Sequence, residues 1–124
     1  MTVFNVAATP KNEILEGMKA WLSESLGDSF DIMLPELAEM YIEDGPALLS
    51  DIKNAIAQQD ATALKNSAHA LRGCSSSLGL SILAKHCQVV ESSSATADFA
   101  MASSKMSELE AEFNQVISVF EGLI

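Results

Sequence analysis

The stretch "DATALKNSAHALRGCSSSLG", residues 60–79, decides the fold. Apolar residues return along it every three or four positions, as one face of a helix requires and as a strand does not allow. Asp60 stands where a helix N-cap belongs and Gly79 where a helix ends in a left-handed residue, so the spacing predicts a helix over about 61–78. At about 100° per residue, Leu64, Ala68, Leu71, Ser75 and Leu78 share one stripe, the natural core side. The opposite arc gathers Lys65, His69, Arg72, Gly73 and Ser76, spaced i−4, i, i+3, i+4 and i+7 about the histidine. A helix has no structural need of this set. Glycine in a helix interior costs about 0.5–1 kcal/mol relative to alanine, so Gly73 one turn beyond an exposed ring requires a return. Either the missing Cβ bares the imidazole edge to another protein, or a neighbouring helix packs tightly on Gly73.

The same periodicity runs outward in both directions, and no strand-like alternation lasts. Thr9 is expected to cap a first helix with Pro10 at N1, running to about Leu26 and stopped by Gly27, with Ile14, Met18, Trp21, Leu22 and Leu26 as its apolar stripe. A second pattern begins near Ser29 and passes Ile32, Leu37, Met40, Tyr41, Leu48, Ile52 and Ile56 to about Gln59. It reads as one long helix, kinked where Gly45-Pro46 removes a backbone bond. Ser81 is placed as the cap of a fourth helix that carries Leu83, Cys87 and Val90 to about Ser92; SSSATAD, residues 92–98, reads as the last loop. A fifth helix, about 97–122, carries Phe99, Met106, Leu109, Phe113, Val116 and Phe120. Short connections between helices of similar length favour antiparallel neighbours. The expected fold is therefore all-α, an antiparallel up-down four-helix bundle with an additional N-terminal helix packed across it. The 124 residues suit a single domain, with the core bundle at about 29–122.

Composition narrows the function. A net charge of −10 excludes nucleic acid as a partner, because phosphate-backbone binding needs clustered lysine and arginine. The charge is uneven: residues 1–60 hold eleven acids against three bases, whereas 61–91 hold Lys65, Arg72 and Lys85 against Glu91 alone. No apolar run is long enough to span a bilayer, and MTVFNVAATP lacks the basic start and apolar run of a secretory leader. A cytoplasmic protein without membrane contact is expected, its Cys74 and Cys87 serving as small buried apolar residues. His69, Cys74, His86 and Cys87 show no recognised zinc spacing, so no metal is assigned. No Walker-type phosphate loop and no kinase signature is present, which leaves ATP no evident seat.

His69, Arg72, Gly73 and Gly79 together resemble the signature of the histidine phosphotransfer (HPt) domain family: a histidine, two residues, a basic residue, a glycine, and a second glycine ten positions after the histidine. Glu91 matches the acidic or amide residue usual on the next helix, and PELAEMYIEDGPALLSDIKNAIAQQD looks like the long helix preceding the signature. The likeness covers about residues 30–92. It departs at Arg72, where lysine is commoner, keeping the charge but changing reach and geometry.

The resemblance implies a phosphocarrier of a multistep phosphorelay without kinase activity of its own. His69 would accept a phosphoryl group on Nε2 from a receiver-domain aspartyl phosphate and pass it to another receiver. Histidine's ordinary pKa near 6.5 leaves such a ring mostly neutral and nucleophilic at cytosolic pH. Arg72 would hold the phosphoryl oxygens, Lys65 would help electrostatically and Ser76 would donate a hydrogen bond. Glu91 would fix the ring's tautomer through its other nitrogen. Leu80 and Ile82 could belong either to a docking surface or to the core. The partners implied are response-regulator receiver domains and a hybrid sensor histidine kinase. Mg²⁺ would come with the receiver, no cofactor would be bound, and the chain, expected to be free-standing, would act as a monomer. The rival reading is a scaffolding bundle without chemistry.

Overall fold

The computed structural model describes residues 8–124 and consists of helices: α1 Lys11–Leu26, α2 Phe30–Ala57, α3 Ala61–Ser77, α4 Ser81–Ala95 and α5 Phe99–Glu121, with one 3-10 turn, Gly27–Ser29, between α1 and α2. The N-terminal stretch Met1–Ala7, whose leader-free reading was drawn from sequence, lies outside the described residues. Each of α2 to α5 packs on its chain neighbour, and α5 returns to α2, which closes a four-helix ring. Connections of three residues join the four, as an antiparallel up-down bundle requires. Helix α1 lies outside the ring against α5, with lesser contact to α2.

The core is built from the faces that the periodicity marks. On α3, Leu64, Ala68, Leu71 and Ser75 are all buried, as is Leu78 directly after it. They meet Ile52 from α2, Leu83, Cys87 and Val90 from α4, and Leu109, Val116 and Phe120 from α5. Each side chain of leucine size contributes about 1.5–3 kcal/mol when fully withdrawn from water. Tyr41 stacks edge-on against Phe120, with centroids 5.1 Å apart, and its hydroxyl shares a 2.9 Å hydrogen bond with Ser75. The one polar residue in the α3 stripe is thereby satisfied.

Helix α2 is the one long helix expected, continuing through Pro46 and through Pro35 as well. Several other expectations are corrected. Gly45 serves packing, since a Cβ there would come within 3.1 Å of the Phe113 ring on α5. Ile32 and Met40, read as core, are exposed; the buried stripe is Leu34, Ala38, Tyr41, Gly45, Leu49, Ile52 and Ala55. Thr9 is not the cap of α1: Pro10 holds that position, because the Thr9 backbone is engaged by α5, its N–H donating to Glu112 Oε1 and its carbonyl accepting from Gln115 Nε2. Ser81 is the first residue of α4 and not its cap, and α4 extends to Ala95. Cys74 is exposed, whereas Cys87 is buried as expected.

Trp21 is the most informative correction. It stands half-exposed, its indole N–H donating to the Ser77 carbonyl at 3.3 Å, with its Cβ filling the space beside Gly79. Gly79 adopts φ +75, and a Cβ there would lie 2.5 Å from Trp21 Cβ, so both the backbone and the neighbour exclude a side chain. This contact sets the C-terminal half of α1 beside the α3–α4 turn.

Candidate functional site

With one face of α3 committed to the core, the opposite face projects His69 into solvent, its side chain 64% exposed. Arg72, one turn on, is half-buried, and Glu91 reaches across from α4 with its side chain largely covered. Arg72 Nε donates to Glu91 Oε1 at 2.8 Å, while His69 Nδ1 lies 3.0 Å from Glu91 Oε2 and 2.9 Å from Arg72 Nη2.

Those last two contacts cannot both be hydrogen bonds to a neutral ring. Nδ1 either donates to the carboxylate or accepts from the guanidinium. A bare Nδ1 would set its lone pair against that of Oε2, and the covered carboxylate has little room to withdraw. Arg72 is different: its guanidinium is already bound to the same carboxylate through Nε and does not need Nδ1 as an acceptor. The Nδ1–H form is therefore favoured, and it leaves the lone pair on Nε2, the nitrogen that faces away from Glu91. Burial raises the Glu91 carboxyl pKa, but hydrogen bonds from Arg72 and His69 outweigh burial and hold the group below its usual range, so it stays ionised.

The remaining sequence-derived residues surround this triad without bonding to it. Gly73 is exposed, and a Cβ there would meet nothing within 4 Å. Among the described residues no helix packs on it, which removes the tight-packing explanation for that glycine. Lys65 and Ser76 are exposed on the same face. Lys65 lines a groove of about 530 Å³ with Arg72 and Glu91, and Ser76 lines one of about 590 Å³ with Arg72. Leu80 and Ile82 divide, Leu80 buried and Ile82 exposed.

His86 stands apart from the triad. It is half-buried beside Glu108, and its pKa is lowered by burial and by Lys105. Burial pushes the Cys87 thiol up to about 12, which leaves it unreactive. Among the described residues, no three histidine, cysteine, aspartate or glutamate side chains converge as a metal site.

Sequence reasoning gave no site role to several groove residues, two of which stand out. Trp21 and Lys85 line the larger groove with Arg72 and Ser76. Lys85 had a signal in the local basicity of residues 61–91; Trp21 had none, since its spacing matched a core position.

The model of the Hpt domain family matches residues 36–119, more than half of the chain. The chain belongs to the Hpt domain family. Hpt domains are phosphocarriers of phosphorelays and interact with receiver domains and kinases. The crystal structure of histidine-containing phosphotransfer protein B (HptB) from Pseudomonas aeruginosa PAO1 is similar over 85% of this chain and 88% of that chain, with a TM-score of 0.72 and 28% sequence identity. No match was found among curated proteins. Helix α1 lies outside the residues that the Hpt model matches.

Proposed function

We propose that this Hpt domain carries a phosphoryl group on His69 Nε2, taking it from the aspartyl phosphate of one receiver domain and passing it to the aspartate of another. The observation that supports this best is an exposed imidazole whose Nδ1 faces an ionised, largely covered carboxylate.

In the proposed transfer the Nε2 lone pair attacks phosphorus, the P–O bond to the aspartate breaks, and its electron pair returns to that carboxylate. Nδ1 keeps its proton, so the ring becomes cationic as the N–P bond forms, and Glu91 stabilises the charge through the 3.0 Å contact. Arg72, held by Glu91 through Nε, offers N–H groups of its terminal guanidinium nitrogens to the phosphoryl oxygens. Lys65 adds a positive field and Ser76 a hydroxyl donor. Gly73 leaves the ring's approach clear for the partner's backbone. Reaction of this kind depends chiefly on positioning and charge, which a helix surface supplies.

No metal of its own enters this scheme, the Mg²⁺ belonging to the receiver. The chain acts as a monomer in the cytoplasm between a hybrid sensor kinase and response regulators, without phosphorylating itself from ATP. No helix among the described residues is long and apolar enough to cross a membrane.

The test is incubation with a panel of phosphorylated receivers from the same organism. The wild-type chain is expected to gain acid-labile phosphate, and His69→Gln to gain none while its circular dichroism is unchanged. Label persisting in His69→Gln, or no label in the wild type from any receiver, would refute the reading.

A further inference from the structure

The Arg72 charge is largely offset by Glu91 at 2.8 Å, so the triad itself presents little net positive field to an approaching molecule. Of the three bases in residues 61–91, the other two are Lys65 and Lys85, and among the described residues neither forms an ion pair. They lie on opposite sides of Arg72. Lys65 lines the groove that also holds Glu91, and Lys85 the groove between α1, α3 and α4.

This second groove, about 590 Å³, is open because Gly17 and Ala20 present almost no side chain from α1, while Trp21 walls it and Arg72 and Ser76 line its α3 side. One acid, Glu24, also lines it, but it forms no ion pair with Lys85. The α1 wall lies beyond the residues that the Hpt model matches, so this groove is shaped by a part of the chain outside the matched family region.

We infer that Lys85 is a docking residue for the anionic face of the phosphorylated receiver, with Lys65 as its counterpart across Arg72; this rests on the phosphocarrier reading above. The partner's reacting face bears an acyl phosphate and the carboxylates that hold its Mg²⁺, and it approaches a protein whose net charge of −10 repels it overall. Two unpaired ammonium groups flanking the reacting ring turn that repulsion into local attraction. An exposed contact of this kind adds little affinity but raises the encounter rate and orients the collision. Lysine suits the task, since a flexible point charge engages and releases without fixed geometry.

The experiment measures the second-order rate constant for transfer from a receiver that phosphorylates the wild-type chain, at low and high ionic strength. Lys85→Glu is expected to lower the rate about tenfold at low salt. Lys85→Gln should lie between, and all three should converge near about 1 M salt, where the screening length falls to about 3 Å. Lys53→Gln removes the same charge on the α2–α5 side, where Lys53 pairs with Glu110, and should stay within about twofold of wild type. Trp21, the only tryptophan, gives a second readout: its fluorescence should change on receiver docking, at higher receiver concentration for Lys85→Glu.

A Lys85→Glu rate equal to wild type at low salt, or an equal loss in Lys53→Gln, overturns the inference. Phosphoramidate, a small donor, separates the two claims. If it labels the wild type but not His69→Gln while Lys85→Glu transfers normally, only the docking role fails. If it and every receiver leave the wild type unlabelled, the carrier reading fails and takes this inference with it.

Discussion

Gly73 shows how one missing atom can matter at the residue scale. Side chains on a helix lean toward its N-terminus, so a side chain at position 73 would lie over the ring one turn earlier, at His69. The site of a Cβ there is open, and the penalty for glycine is therefore recoverable without strain. Gly73→Ala should raise unfolding free energy by about 0.5–1 kcal/mol in a urea titration. Gly73→Leu should remain folded yet slow transfer from receivers, and an unimpaired rate would show that the bare position has no part in access. Glu91 carries the pH dependence of the site. Its folded pKa is depressed, so its contribution to stability is complete above the unfolded value of 4.5 and is lost as pH falls through the lower folded value. Thermal melts through the acid range should show wild type losing more stability than Glu91→Gln; parallel curves would mean that the pair contributes nothing. The spacing of His69, Arg72 and Gly73 was legible in the sequence. Contact between Glu91 and the ring's other nitrogen was expected only from the family resemblance, and its hold on the guanidinium was not expected at all, because the relation of α4 to α3 is set by packing over 22 residues of separation.

Three connections in the bundle repeat one device at the scale of the element. At α3–α4 the Gly79 N–H bonds Ser76 O and the Leu80 N–H bonds Ser75 O, a Schellman ending with its left-handed residue at glycine. The α2–α3 and α4–α5 connections make the same pair of bonds with Gln59 at φ 54 and Ala97 at φ 52. An L-residue held left-handed costs about 1–2 kcal/mol, partly offset by its smaller unfolded-state entropy. Ala97→Gly should therefore stabilise the chain by about 0.5–1 kcal/mol, whereas Gly79→Ala should destabilise it by more than that, since Trp21 Cβ blocks the new atom. Calorimetric melting temperatures moving in opposite directions would establish the contrast. Asp60 and Asp98 cap the helices that follow, each accepting a backbone N–H. Asp60 was readable as a cap because the interaction is local. Thr9 misled, since its backbone answers to Glu112 and Gln115 more than one hundred residues away.

Across the whole molecule, the Tyr41–Ser75 hydrogen bond ties α2 to α3 beneath the site. Burial, the largest influence, pushes the Tyr41 phenol well above its ordinary range, so the hydroxyl stays neutral and the bond is independent of working pH. Ser75 has no exposure to water. Tyr41→Phe would strand its hydroxyl and should cost about 1–3 kcal/mol in a denaturant titration. A loss below the error of the titration would show that Ser75 finds its own backbone as a partner. The bundle and its order of helices were legible because each connection is short and each helix has one apolar stripe. Where α2 was misread, at Ile32 and Met40, the apolar residues lie off the stripe that packing selected, and hydrophobicity alone did not distinguish the two arcs.

By itself the sequence determined an all-helical chain, the faces of α3, and the histidine, arginine and glycine that share its solvent side. These follow from a helical repeat of 3.6 residues, which any reader of the chain can apply without knowing the neighbours. Only the tertiary structure decided that Glu91 also holds the Arg72 guanidinium, that Trp21 leaves the core to lie against Gly79, and that Lys85 faces a groove beside Arg72. Each is a contact between different helices, and the angles and offsets at which helices meet are settled by close packing of the whole core.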